Sequence, residues 1–558
     1  MSRSRSRGAL FALLVSGLAS APVAAQPSRW PAVWEVDTLP AIGSMAEDRA
    51  RLRQLRGTGD TEGWLARSLS ARLHLAPTSI DSLEWLVIAP ELYVVHNSAL
   101  PFSQNDGLLW AGRGYSTRVR GGVAGSMGKL HAVLMPELAV AHNDSFVDVD
   151  ISQWHVPFMN WGDLSPYASE WNQYPASADV PVRFGGGIYR QASLGQSALW
   201  YEDYGVAAGI STENLWWGPG VHDAFIMTNN AAGIPHAFVR TARPLHTGVG
   251  DFEGTLIVGA LAESDYYDYD VANDHRSLSA AVVTYRPVWE RDLTVGMARA
   301  VYAPVDAPLS SLGHALDVFG AFHRPGSRSM LDSAFTGGRD QLSSLFARWR
   351  FPRYGAELYG ELGRVERPAN LRDLLVDPEH TRAYLYGGQF AKPIGDAALR
   401  VQLEFAQMEQ SPSYRYRPTQ SWYTSRAMPQ GYTQKGQVIG ATIGPGSSHQ
   451  WMAVDYVAPT WSAGIFAGRW RFNTDAMFSS IDFPPGTGSC EYDTTLYPGV
   501  RGSHDSRLLG LVQLDAIWGT RLNAFHQNNS GCPAPEVRHL RDVRNLTFRL
   551  TIAPRIGR

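Results

Sequence analysis

The chain has 558 residues, a formal net charge of -3, and 44% hydrophobic and 11% aromatic residues. That charge balance leaves no electrostatic footprint for nucleic acid, and a mean hydropathy of -0.20 excludes a bundle of membrane-spanning helices. It does not exclude a transmembrane barrel, in which half of each strand faces a polar lumen.

Residues 1–25 read as a secretory signal. Arg3, Arg5 and Arg7 form a basic start, Ala9 to Leu18 an apolar stretch, and Val23-Ala24-Ala25 a small-residue cleavage site before Gln26. No cysteine follows the cut, which argues against a lipid anchor. Residues 26–80 carry helical spacing: Met45 to Leu55, then Trp64 to Leu75 across the Gly57-Thr58-Gly59 break, with Leu65, Leu69 and Leu73 on one face. Two readings fit this segment: a helical hairpin packed on a larger body, or a periplasmic plug at its mouth.

From about Leu83 the period changes to two, and residues 83–558 read as one outer-membrane β-barrel. Arg400, Gln402 and Glu404 alternate with Val401, Leu403 and Phe405; Glu357, Tyr359 and Glu361 alternate with Leu358, Gly360 and Leu362. Charged side chains inside strands are costly against lipid, so they are expected to point into the lumen. Spanning strands of ~9–11 residues suggest roughly 16–20 strands over this length. Gly121-Gly122 and Pro287 read as tight turns. Long Gly/Pro/Asp/Asn-rich segments at 150–182, 263–276, 303–340, 409–433 and 480–506 read as external loops. The 18 Trp and 23 Tyr suit both membrane interfaces and sugar stacking.

Cys490 and Cys532 are the two cysteines. If Trp518-Gly519-Thr520 is a tight turn, residues 507–517 and 521–528 form a hairpin and the cysteines emerge on one face. An extracellular disulfide is then expected; one continuous strand over 507–528 would separate them. No zinc helix, Walker loop or Gly-x-Ser-x-Gly elbow is present, and neither a metal nor a cofactor is expected. The acidic run Glu263 to Asp270, with Asn273 and Asp274, could ligate calcium but lacks EF-hand spacing and reads better as a solvated loop. Glu357 and Glu361 could in principle act as a glycosidase pair; a polar lumenal network is the better reading.

Several blocks in order resemble one family. They are Asn105-Asp-Gly-Leu-Leu-Trp-Ala-Gly-Arg-Gly114, Glu213-Asn-Leu-Trp-Trp-Gly-Pro-Gly220, Thr228-Asn-Asn-Ala231 with Pro235, and Tyr359-Gly-Glu361. Further along come Leu371 to Tyr384 with Asp377-Pro-Glu-His380, and Gly431 to Gly436 with Gly440 and Gly444-Pro-Gly446. This pattern resembles the Wzi-type capsule assembly proteins. The resemblance implies an 18-stranded outer-membrane barrel, closed by helices on its periplasmic side, that holds capsular polysaccharide without catalysis. Trp216 and Trp217 on a tight turn could stack on sugars or anchor an interface, and Asn229 and Asn230 could bond sugar hydroxyls. Alternatively, the block shapes the lumen, with the Asn side chains bonding local backbone. The expected partners are capsular or other surface polysaccharide, outer-membrane lipid and lipopolysaccharide, and the barrel-assembly machinery. The working unit is expected to be a monomer. A porin or polysaccharide exit channel is the alternative function.

Overall fold

The computed structural model describes residues 41–554, except 58–61, 74–82, 147–166, 168, 170–176, 269, 321–337, 366–369, 416, 418, 476–491, 507 and 527–541. The signal segment 1–25, Cys490 and Cys532 lie outside the described residues.

Among these residues, eighteen antiparallel strands close into one barrel. They are β1 (Leu83–Asn97), β2 (Gly114–Met127), β3 (Leu130–Leu134 continued by Glu137–Ala141), β4 (Tyr189–Ser193 continued by Ala198–Asp203), β5 (Val206–Ser211) and β6 (His236–Thr241 continued by Leu245–His246). Then follow β7 (Gly250–Ala262), β8 (His275–Pro287), β9 (Leu293–Pro304), β10 (Asp340–Phe351), β11 (Ala356–Arg364) and β12 (Arg382–Ile394). The last six are β13 (Ala397–Gln407), β14 (Ser448–Val457), β15 (Trp461–Phe472), β16 (Asp493–Ser506), β17 (Gly510–Leu522) and β18 (Val543–Ala553). β18 returns to β1, with Leu92 opposite Ile552, so the ladder leaves no open edge.

Short turns and long loops alternate strictly around the cylinder. Connections such as 128–129, 204–205 and 395–396 lie at one mouth, while 98–113 and 212–235 leave from the other. Short turns mark the periplasmic mouth of such barrels and long loops the extracellular one. Near the short-turn rim, aromatic rings face outward in pairs: Phe252 with Tyr285 at 4.8 Å, Trp349 with Phe351 at 5.1 Å, and Tyr456 with Trp461 at 5.3 Å. This is the girdle expected where apolar rings meet headgroups.

The alternation read from sequence holds: Glu357, Glu361, Arg400, Gln402 and Glu404 are buried in the lumen, while Leu358, Leu362 and Leu403 are exposed on the wall. Several local expectations differ. Gly121-Gly122 is not a turn but lies inside β2, beside a register shift between Ile88 and Glu91. A Cβ at Gly122 would sit 1.9 Å from the Leu134 carbonyl oxygen, so the pair permits close strand approach. Residues 493–506 are strand β16 rather than the end of a loop. Residues 518–520 lie within the unbroken strand β17, so the expected hairpin is replaced by one in which Ser506 pairs with Gly510. Thr494 pairs with Leu522, so the start of β16 and the end of β17 lie at the same mouth. Helix α1 spans Met45–Leu55 as its spacing implies, but the second is only Leu69–Arg72 (α2), because Ala66–Arg67 pair as strand with Trp216–Trp217.

Candidate functional site: a lumen filled from both mouths

Among the described residues of the N-terminal segment, helix α1 packs against lumen-facing strand residues near the short-turn mouth. Ser44 caps α1 by accepting the Glu47 N–H at 3.2 Å, and Leu52 and Leu55 pack against Ala391 and Val457. Asp48 and Arg51 share that face of α1 and meet charged strands. Arg51 pairs with Glu357 at 2.7 Å, and Arg348 donates to the same carboxylate from Nε at 2.8 Å and also from Nη2. Gln389 completes the carboxylate shell at 2.8 Å. A second knot joins Asp48 to Arg400 at 2.6 Å, with Asp455 taking Arg400 at 3.1 Å and Arg501 at 2.6 Å. Glu357 and Arg400 were legible in sequence as lumenal charges; their partners on the N-terminal segment were not.

From the opposite mouth, loop 212–235 descends into the barrel. Its tip is held by its own backbone: Val221, His222 and Asp223 donate N–H groups to Glu404 at 2.6, 2.9 and 2.9 Å, and the Tyr359 hydroxyl donates to it at 2.8 Å. Phe225 N–H reaches Glu361 at 3.3 Å. Glycine is required here because a Cβ on Gly218, at φ +130°, would meet Glu361 at 2.9 Å, and one on Gly220 would lie 1.9 Å from Asp223 O. The two plugs meet where Arg51 donates to Pro219 O at 2.7 Å and Ser70 N–H donates to Glu213 at 2.8 Å.

Loops 98–113 and 408–447 pack over this tip. Asn105 Nδ2 donates to His222 O at 2.7 Å, and Gly107 N–H to Asn229 O at 2.8 Å. The Tyr423 hydroxyl donates to Phe225 O at 2.9 Å and accepts Ala441 N–H at 2.8 Å. His449 bonds Asp223 through Nδ1 at 3.0 Å and Tyr497 through Nε2. All three side chains of this chain are buried.

Trp216 and Trp217 are 2% and 1% exposed. Trp217 belongs to the central apolar core, and the Arg67 guanidinium lies 4.8 Å over the Trp216 ring. Asn229 donates to Asn105 O at 2.9 Å; Asn230 donates to Val438 O and accepts from Thr442, both at 2.8 Å. All four thus lie in the lumenal packing, the two Trp rings buried and the two Asn side chains bonded to the neighbouring loops rather than to local backbone. Glu357 and Glu361 are buried and each is engaged as described above, so neither presents a free carboxylate. Sequence reasoning missed Glu404 as an anchor and missed Asp223, His449 and Tyr497 as a chain, because their partners come from distant strands.

The cover of the plug carries a proton-linked latch. Asp475, beyond β15, accepts Gln410 N–H at 2.8 Å and the Ser421 hydroxyl at 2.7 Å, yet burial raises its pKa to about 7. An unfolded Asp titrates near 3.9, so between roughly pH 4 and 7 the native state binds the extra proton. Its contribution to stability is therefore greatest at acid pH and declines as pH rises through that window, then levels off. Amide protection over residues 408–421, corrected for intrinsic exchange, is expected to fall between pH 5 and pH 8. Asp475→Asn removes most of that change; an equal fall in the variant contradicts the latch.

Residues 189–456 match the family model described as capsule assembly protein Wzi. No curated protein matches the chain in sequence. Among solved structures it is similar to Wzi of Escherichia coli, described as an outer membrane protein involved in group 1 capsule assembly and a carbohydrate-binding β-barrel. The identity is 12%, with a TM-score of 0.51, over 84% of this chain and 85% of that one. At this identity the likeness is one of fold. OccK7 (OpdD) of Pseudomonas aeruginosa aligns at 10% identity and a TM-score of 0.37, over 85% of this chain and 98% of that one. OprD from the same organism aligns at 8% and 0.36, over 84% and 92%. Residues 189–456, which include the descending loop and the strands that clamp it, match the Wzi capsule assembly family model, and the chain as a whole is an outer-membrane β-barrel.

Proposed function

We propose that this barrel is a non-enzymatic holder of capsular or other surface polysaccharide at the cell exterior. The observation that carries the reading is the filling of the lumen from both mouths. Glu357 fastens the N-terminal segment and Glu404 fastens the descending loop, so the cylinder supports a fixed outer face rather than a solute path. The engagement of Glu357 and Glu361 supports the non-catalytic part of this reading. Trp216, Trp217, Asn229 and Asn230 act in it by setting the floor on which the outer loops stand. A repeating polymer is retained by many weak contacts at once, without one tight site. Outer-membrane lipid and lipopolysaccharide surround the wall, the barrel-assembly machinery inserts it, and a single chain is the working unit.

The test is deletion of the gene in the producing cell. Total polysaccharide is expected to stay constant while the cell-attached share falls and the released share rises. An unchanged attached share overturns the reading.

A further inference from the structure

The rule that strand charges face the lumen has an exception on β9. Along β8, β9 and β10, Leu278, Ala300 and Leu342 belong to the lumenal core, so Ser277, Ser279, Arg299 and Gln341 lie on the opposite, outward face of the wall. Outward residues at that level would meet lipid. Arg299 lies opposite Ser343, and the girdle residue Trp349 is six positions further along the same strand. With a rise of about 3.3 Å per residue and a tilt of about 40°, Arg299 stands roughly 15 Å above the girdle, inside an apolar band ~25 Å tall.

Yet Arg299 is 2% exposed, and Ser277, Ser279 and Gln341 are buried as well. The cover is the external segment after β9, two 3-10 turns over Pro308–His314 and Asp317–Phe319 that fold back down the outside of the cylinder across β7, β8 and β9. Its carbonyls serve the wall: Arg299 donates to Val318 O at 2.6 Å and Gly320 O at 2.7 Å, and Ser279 donates to Ala315 O at 2.9 Å. Gln341 takes the remaining guanidinium edge at 2.6 Å. Ser311 and Val318 face inward, while Leu309, Leu312, Leu316 and Phe319 point away at 82%, 59%, 71% and 66% exposure.

We propose that this strap is a lipid-inserted surface, presenting those four side chains to the acyl chains of the outer leaflet while sealing a polar patch on the wall. Acyl chains are the occupant because the apolar face continues the wall's own lipid-facing residues, Val283, Met297 and Leu345, at the same side of the barrel. A strap folded over a guanidinium at that depth has apolar solvent on its far side. The alternative cover, a second copy of the chain, gives a different outcome below.

In a Cys490→Ser/Cys532→Ser background, single Leu312→Cys and Leu316→Cys variants of the full chain carry nitroxide labels in palmitoyl-oleoyl phosphatidylcholine vesicles. Leu345→Cys on the wall and Leu508→Cys in a short turn are the lipid and water references, and heat-shifted gel migration verifies each barrel. Both strap labels are expected to be relaxed by oxygen and sheltered from a water-soluble nickel chelate, as at Leu345. Relaxation by nickel as at Leu508 overturns the proposal, and so does exclusion of both reagents, the mark of a protein contact. On the unsubstituted chain, a diazirine-bearing phospholipid is expected to label the peptide covering 308–320; absence of adduct there, with adduct on the wall, likewise overturns it.

Discussion

Replacing Glu357 with glutamine is expected to be the most damaging single change in the lumen. The carboxylate is buried and shared by two buried guanidiniums, Arg51 and Arg348. Removing one member of such a set leaves uncompensated charge where water cannot reach, at about 3–5 kcal/mol. The loss falls mostly on the N-terminal segment, because Arg51 is one of its ties to the wall, beside Asp48–Arg400, and also holds the descending loop at Pro219 O. Thermal unfolding in detergent should shift to clearly lower temperature, with the segment around α1 becoming open to protease before the barrel melts. The exposed Lys129–Asp203 pair is the control, since such pairs add little: Asp203→Asn should melt like the parent. Equal melting of Glu357→Gln and the parent would mean the pair does not hold the plug.

Much of this arrangement was legible in the sequence, and the part that was not has physical causes. Period-two patterning placed Arg400, Gln402 and Glu404 on one face and implied the barrel, because lipid and lumen impose opposite demands on alternate residues. Helix α1 followed from its spacing. Trp216 and Trp217 gave no sign of whether they were displayed or buried, since a tight Gly-Pro-Gly turn serves both; the deciding contact is Arg67, far back in the chain. β16 looked like loop because it contains Pro498, Gly499 and Gly502. It survives as strand because the ladder to β17 is interrupted at Tyr497 and Pro498, where the missing N–H costs nothing. Arg299 contradicted the lumen rule, and nothing local signals it: the strap that shelters it begins several residues later.

Glu404→Gln is expected to act on the other plug. Three backbone N–H groups and the Tyr359 hydroxyl converge on one carboxylate. An amide keeps one oxygen but turns an NH2 toward donors, stranding at least some of them. Each orphaned buried donor costs about 1–3 kcal/mol. At the lower figure for the two donors on the lost oxygen, local opening of residues 219–225 becomes on the order of 30-fold more frequent. Hydrogen exchange measured by mass spectrometry over that peptide should show this, with barrel strands such as β17 unaffected. Unchanged exchange at 219–225 would show that packing by Tyr423 and His449 is sufficient alone.

The account's central claim is tested most directly by electrical recording of the full-length protein reconstituted in a planar bilayer. A cylinder occupied from both mouths predicts a flat baseline, with no unitary steps across the voltage range that the bilayer tolerates. Stable, resolvable single-channel openings of the unaltered chain would contradict it.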